Sequence, residues 1–100
     1  MKGYIYIYHV PNYSVSFYLG ASAITDIKKE IDVSCYEDDI VIDYISAKRD
    51  RIDILKEMIM EELKDNRINK SYFYRINKED MKEVIEKMVN EWPEDFKKLY

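Results

Sequence analysis

Residues 3–22 read GYIYIYHVPNYSVSFYLGAS, and this stretch decides the fold. From residue 4 to residue 8, tyrosines alternate with isoleucines, which is the period-two pattern of a β-strand with a tyrosine face and an isoleucine face. Turn-forming residues at 11–14 interrupt this pattern. Residues 15–20 alternate again and predict a second strand that ends at Gly20. The stretch therefore predicts a β-hairpin.

A helix and then a third strand are predicted to follow the hairpin. Isoleucines recur at helical spacing through residues 24–31, which predicts a helix. Ser22 or Thr25 can cap this helix. An acidic linker at residues 36–39 leads to the run IVIDYI at residues 40–45. Its nearly continuous apolar, β-branched character predicts a central strand that is buried on both faces.

The second half of the chain predicts two more helices and a short strand. Asp50 can cap a helix that carries one apolar stripe and ends at about residue 65. After a polar connection, residues 72–76 (YFYRI) are strong β formers. Asn77 resembles a helix start, and the clearest amphipathic helix of the chain follows it until Pro93 stops it.

The predicted order is strand, strand, helix, strand, helix, strand, helix. It indicates an α/β or α+β fold, with a small three- to four-stranded sheet flanked by three helices. A chain of 100 residues, 47% of them hydrophobic, suits a single core. We therefore expect one domain over residues 1–92 and a C-terminal tail over residues 93–100.

Charge and cysteine content restrict the partners and the cellular compartment expected for the protein. The formal net charge is −4, so contact with nucleic acid would have to come from a local basic patch. The single cysteine, Cys35, excludes an intramolecular disulfide and favours a reducing compartment. The sequence carries no signal-peptide pattern and no apolar run near the roughly 20 residues of a membrane span. We expect a cytoplasmic protein, inside a host cell, with no membrane contact.

Most familiar catalytic motifs are absent from the sequence, which narrows the search to tyrosines and carboxylates. There is no glycine-rich phosphate loop or Cys-x-x-Cys pair, and His9, the only histidine, has no evident triad partner. Residues 3–22 resemble the start of a GIY-YIG nuclease domain, particularly the compact single-domain members of phages and large DNA viruses. Residues 3–6 correspond to the first motif and residues 18–20 to the second. The resemblance extends over roughly residues 3–89.

The resemblance implies a metal-dependent endonuclease, a hydrolase that cleaves DNA phosphodiester bonds. Glu57 would hold one Mg²⁺ or Mn²⁺ ion, which stabilises the leaving oxygen. A hairpin tyrosine would orient or deprotonate the attacking water, and a lysine of the first helix would stabilise charge on phosphorus. The candidate catalytic residues are Tyr6, Tyr18, Lys28, Lys29 and His9, and the candidate substrate-binding residues are Tyr4, Gly20, Ser22 and Arg67.

Several positions depart from the family's pattern, among them Ser71 or Lys70, where an acid is expected before the late aromatic pair. Lys28 and Lys29 stand where active members carry arginine, and a lysine cannot make the bidentate phosphate contact of a guanidinium. Glu61 stands where a histidine often follows the glutamate by one turn, and it adds a like charge beside Glu57. These departures favour an alternative: a non-catalytic phage or viral protein that binds nucleic acid, a nucleotide or a host protein, such as an anti-defence inhibitor.

A purely structural interpretation of the same residues also stays open. The tyrosines of the first strand can form an aromatic face that packs on a helix, and Glu57 can be a solvated helix residue. A structure with Tyr6, Tyr18 and Glu57 in one cleft would favour hydrolysis. A continuous face of carboxylates opposite an intact tyrosine cleft would favour an interaction protein.

Overall fold

The fold is a mixed α+β arrangement built around one antiparallel sheet. The computed structural model describes residues 1–11, 16–24 and 40–99, and these contain four strands and two α-helices. The strands are β1 (Tyr4–His9), β2 (Phe17–Ser22), β3 (Val41–Ile45) and β4 (Phe73–Tyr74); the helices are α1 (Ile52–Glu62) and α2 (Lys78–Asn90). Short 3₁₀ helices cover Lys64–Asn66 and Phe96–Leu99.

The predicted pairing of the first two strands is confirmed. The sheet order is β3-β1-β2-β4, and β1 pairs antiparallel with β2, with Tyr4 opposite Ser22 and Tyr8 opposite Tyr18. The expected end of the second strand at Gly20 is wrong, since β2 continues to Ser22. Gly20 stays inside the ladder because it lies opposite Tyr6, whose ring covers its backbone.

The prediction that residues 40–45 form the central strand is also wrong. In the described sheet β3 is an edge strand that pairs with β1, and Val41 and Ile45 are 43% and 38% exposed. The interior strands are β1 and β2, and in β1 Ile5 is fully buried and Tyr6 is 5% exposed. The predicted tyrosine face and isoleucine face of β1 are confirmed, since Tyr6 and Tyr8 belong to one cluster and Ile5 and Ile7 to another, and both faces are covered.

Helix α1 begins without the predicted aspartate cap. Arg51 is its N-cap, in the left-handed region at φ 50°, and no side chain caps the helix. The carboxylate of Asp50 instead accepts hydrogen bonds from the backbone N–H of Arg51 at 2.8 Å and of Phe96 at 2.9 Å. Asp50 therefore fastens the C-terminal segment to the start of α1.

Helix α2 begins as predicted. The side-chain oxygen of Asn77 accepts hydrogen bonds from the backbone N–H groups of Glu79 at 2.9 Å and Asp80 at 3.4 Å, which is the usual N-cap geometry of asparagine. The helix ends at Asn90, and Pro93 lies just beyond it. The apolar stripe of α2 is buried through Met81, Ile85 and Val89.

The sheet carries a different apolar cluster on each face. The isoleucine face packs on both helices, in a cluster that includes Ile5, Ile7, Leu19, Leu55, Ile59, Met81 and Ile85. The tyrosine face forms a second cluster from Tyr6, Tyr8, Val10 and Ile40. In the part of the chain that the structure describes, no helix is long and apolar enough to cross a membrane.

The predicted first helix lies outside the described residues and stays a prediction, as do the positions of Lys28 and Lys29. Ser22, one of its two candidate caps, belongs to β2. Its hydroxyl donates to the carbonyl of Ile24 at 2.9 Å and accepts from the N–H of Ile24 at 3.0 Å. Ser22 is therefore buried and used locally, at the end of a strand.

Candidate functional site at the aromatic edge of the sheet

The tyrosines of the two motifs stack on one another on the tyrosine face. The rings of Tyr8 and Tyr18 lie 4.6 Å apart between centroids, at 19° between their planes. Tyr6 lies 6.2 Å from both of them. The antiparallel register produces this stack because Tyr8 and Tyr18 are directly opposite each other.

Tyr6 and Gly20 are parts of the core. A Cβ atom at Gly20 would overlap the ring and hydroxyl of Tyr6, so glycine is required there for the ring to lie across β2. Tyr6 is 5% exposed, and Tyr4 is half-buried opposite Ser22. The packing of these residues accounts for the spacing of the two motifs without any reference to catalysis.

Tyr18 contacts both the buried tyrosine stack and the exposed ring of Tyr72. It is half-buried, and its ring makes edge contacts with Phe73 at 5.3 Å and with Tyr72 at 6.0 Å. The backbone holds this arrangement, since the N–H of Leu19 donates to the carbonyl of Tyr72 at 3.0 Å. Tyr72 is 41% exposed and presents an aromatic ring at the β4 edge of the sheet.

Two cations lie against the ring of Tyr72. The ammonium of Lys56 is 4.2 Å from the ring centroid, and the guanidinium carbon of Arg67 is 5.6 Å from it, both within range of a cation–π interaction. Arg67 is held in place because its Nε and Nη2 donate to the carbonyls of Ser71 and Lys70. We call Tyr18, Lys56, Arg67 and Tyr72 the aromatic–cation edge.

Burial and neighbouring charges shift the pKa values of two groups at or beside the aromatic–cation edge. Partial burial lowers the pKa of Lys56, the Glu57 carboxylate opposes that change, and the Arg67 charge adds to it. Burial likewise raises the pKa of Tyr74, which lies in the neighbouring strand β4. Groups with pKa values shifted by burial together with a specific neighbour are concentrated at functional sites.

The hydroxyl of Tyr74 is buried without a hydrogen-bond partner among the described residues. Burial is the largest cause of the raised pKa of this hydroxyl. The Arg67 charge lowers the pKa and the Glu57 charge raises it, each by less than burial does. A buried polar group without a partner costs about 1–3 kcal/mol. Tyr74 is therefore the one described side chain whose buried polar atom is unsatisfied.

The candidate metal residue, Glu57, is exposed on α1, one residue from Lys56. Glu61, one turn later, bonds to Lys64 at 3.1 Å. Among the described residues, no group of three His, Cys, Asp or Glu could hold a metal ion. An Mg²⁺-type ion keeps several waters and needs few protein ligands, so binding of Mg²⁺ or Mn²⁺ at Glu57 stays a prediction.

Tyr6 and helix α1, which carries Glu57, lie on opposite faces of the sheet. Tyr6 belongs to the cluster on the tyrosine face, whereas α1 packs on the isoleucine face. What the structure brings together instead is Tyr18 and Arg67, each in contact with Tyr72. Sequence reasoning missed Lys56 and Tyr72, although the run YFY at residues 72–74 was a signal for an aromatic edge.

His9 has a partner that the sequence did not reveal. Its Nδ1 lies 2.7 Å from Oδ2 of Asp43, and Nζ of Lys78 lies 3.8 Å from the other carboxylate oxygen. Asp43 is the extra residue of a β-bulge, because Ile7 pairs with Tyr44 and Tyr8 with Ile42. His9 is therefore paired with a carboxylate that lies 34 residues away in the sequence.

Comparison of the chain with protein-family models, with curated proteins and with solved structures gives no significant match.

Proposed function

We propose that this chain binds a single-stranded nucleic acid at the aromatic–cation edge. The observation that carries the proposal is the placement of Lys56 and Arg67 against the ring of Tyr72, which is 41% exposed. Proteins that bind single strands combine aromatic rings, on which bases stack, with cations that follow the phosphates. The edge has both components within one short segment of surface.

A local basic contact with nucleic acid is compatible with the acidic net charge of the chain. The net charge of −4 argues against general attraction to nucleic acid, so the attraction must be local. Lys56 and Arg67 provide it together, and the lowered pKa of Lys56 reflects burial and its closeness to the Arg67 charge. A phosphate bound between the two cations would relieve their mutual repulsion.

Binding of a labelled oligothymidylate, measured by fluorescence anisotropy, tests the proposal. Tyr72→Ala should weaken binding by about tenfold, because stacking on one aromatic ring contributes about 1–3 kcal/mol per base. Tyr72→Phe should bind like the wild type, since it retains the ring. Lys56→Ala should also weaken binding, whereas Lys48→Ala, which removes an exposed lysine outside the edge, should not. Equal effects of the two lysine variants would contradict the proposal.

Hydrolysis at the same edge is the second candidate function. It is favoured by the resemblance of residues 3–22 to GIY-YIG nucleases and by the position of Glu57 next to Lys56. Mg²⁺ or Mn²⁺ at Glu57 would supply stabilisation of the leaving oxygen. The chain's own contribution would be phosphate binding by Lys56 and Arg67 and orientation of water by the Tyr18 hydroxyl.

Nicking of supercoiled plasmid in Mg²⁺ or Mn²⁺ separates the two candidates. If the edge hydrolyses DNA, wild-type protein nicks the plasmid, and both Glu57→Ala and Tyr18→Phe lose that activity. Nicking that survives both substitutions would exclude this site as its source. Oligonucleotide binding without nicking in either metal would leave binding as the function.

A further inference from the structure

A groove lined by residues of α1 and α2 shares no lining residue with the aromatic–cation edge. Its volume is about 530 Å³, and it lies between the end of α1 and one flank of α2. Val84 and Met88 contribute its apolar surface, and four carboxylates line it: Glu62, Asp80, Glu83 and Glu91. Among the lining residues that the structure describes, Lys87 is the one cation, so these residues carry a net charge of 1 − 4 = −3. We call this the acidic groove.

The helical repeat explains how the sequence builds the groove. Residues four apart lie in one row on a helix surface. On α2, Asp80, Val84 and Met88 form such a row. On α1, Ile54 and Met58 share a row with Glu62, and these two apolar side chains are 46% and 48% exposed. An apolar strip therefore continues from the groove along α1.

We infer that the acidic groove and this strip are the docking site for a basic amphipathic helix of a partner protein. Such a helix lays its apolar face along a groove, and methionine side chains adapt their shape to the apolar residues that enter. Here Met58 and Met88 would receive the apolar residues. Lysines and arginines on the edge of the helix would meet the four carboxylates, which gives the complex its polarity and register.

The charge of the groove selects this occupant over the alternatives. Nucleic acid is excluded because its phosphates would be repelled by a lining of net charge −3. A second copy of the chain, docked through the same surface about a twofold axis, would bring two such linings together. An acidic peptide meets the same repulsion. A basic, amphipathic partner satisfies both the charge and the apolar strip.

The groove and the aromatic–cation edge can be occupied at the same time. Helical spacing places Lys56 and Glu62 on opposite flanks of the buried stripe of α1, which includes Leu55 and Ile59. The inference therefore stands whether or not the edge binds nucleic acid.

Titration with designed peptides tests the inference. The probe is a helical peptide of leucine and lysine only, with leucines at helical spacing. The controls are the same composition in scrambled order and a leucine–glutamate peptide of the same pattern. We expect the probe alone to bind, with shifts of the ¹³C-methyl signals of Met58 and Met88 and little change at Met1. Equal binding of the scrambled or acidic peptide, or no binding of the probe up to about 1 mM, would overturn the inference.

Two pairs of substitutions at exposed positions localise the site. Glu83→Lys should weaken probe binding about fivefold at low salt, whereas Glu86→Lys, the same change outside the groove lining, should not. Met58→Ser should weaken binding, whereas Val41→Ser, at a similarly exposed apolar residue on β3, should not. Far-UV circular dichroism checks that each variant is folded. Equal effects within either pair would place the peptide elsewhere and contradict the inference.

Discussion

The ring of Tyr6 occupies the space in which a side chain at position 20 would lie. Any side chain at position 20 would overlap the Tyr6 ring, which is itself packed in the tyrosine-face cluster. The Gly20→Ala variant should therefore lose about 1–3 kcal/mol of unfolding free energy, the usual cost of overpacking a core. Urea denaturation measures it. Adding Tyr6→Leu should recover part of the loss, and an unchanged stability of the single variant would contradict this packing.

A substitution at Tyr74 is expected to raise the unfolding free energy, unlike the substitution at Gly20. Its hydroxyl is buried and lacks a hydrogen-bond partner among the described residues, so Tyr74→Phe removes a desolvated polar atom and keeps the ring. We expect the unfolding free energy to rise by about 1 kcal/mol. Tyr72→Phe, at an exposed ring, is the control and should change little. A loss of stability in Tyr74→Phe would show that the hydroxyl is satisfied in solution.

Individual residues could be predicted from the sequence where their role is local. Asn77 caps α2 as expected because an N-cap depends only on the next three residues. Asp50 and Asp43 could not be assigned in the same way. Asp50 bonds to Phe96, 46 residues away, and Asp43 reaches His9 only because a bulge in β3 turns it there. Pairings of this kind depend on tertiary structure.

The Asp50 contact makes the C-terminal element sensitive to acid. The bond from the Phe96 N–H lowers the pKa of Asp50 below its ordinary value of 3.8. A carboxyl with a lowered folded-state pKa stabilises the fold above its unfolded pKa, and this stabilisation is lost as the pH falls through the folded value. The indole of Trp92 donates to the Asp50 carbonyl and its ring contacts Phe96. Acid should therefore release this segment.

Fluorescence of Trp92, the only tryptophan, reports this release. We expect a change in its emission as the pH is lowered beneath 3.8, the ordinary pKa of Asp50. In the Asp50→Asn variant the amide cannot titrate, so the acid-dependent step should disappear. A step of the same size and midpoint in that variant would assign the transition to another carboxyl.

Element types were easier to predict than element positions in the sheet. Period-two alternation identified β1, and the 3.6-residue period identified α2. The order of the strands could not be predicted in the same way, because β1 and residues 40–45 are both apolar runs. Of these two segments in the described sheet, β1 pairs on both sides, with β2 and with β3, whereas β3 pairs on one side, and this decides which of the two is buried.

The distribution of charge over the molecule differs from what its net charge suggests. The aromatic–cation edge brings Lys56 and Arg67 to one ring, whereas the acidic groove is lined by four carboxylates of α1 and of α2 and its C-terminal end. A net charge of −4 describes neither surface. The tyrosine spacing of residues 3–22 resembles that of GIY-YIG nucleases, and the packing of the buried rings of Tyr6 and Tyr8 is a second explanation of this spacing. We propose that nucleic acid binds at Tyr72, whose side chain is 41% exposed.

The salt dependence of oligothymidylate binding tests the central claim most directly. If Lys56 contacts a phosphate, the affinity of the wild type falls as salt rises. The slope of log K against log salt should then be smaller in magnitude by about 0.7 for Lys56→Ala, the value for one contact to a single strand. Lys48→Ala should keep the wild-type slope. Identical slopes for wild type and Lys56→Ala would contradict the account.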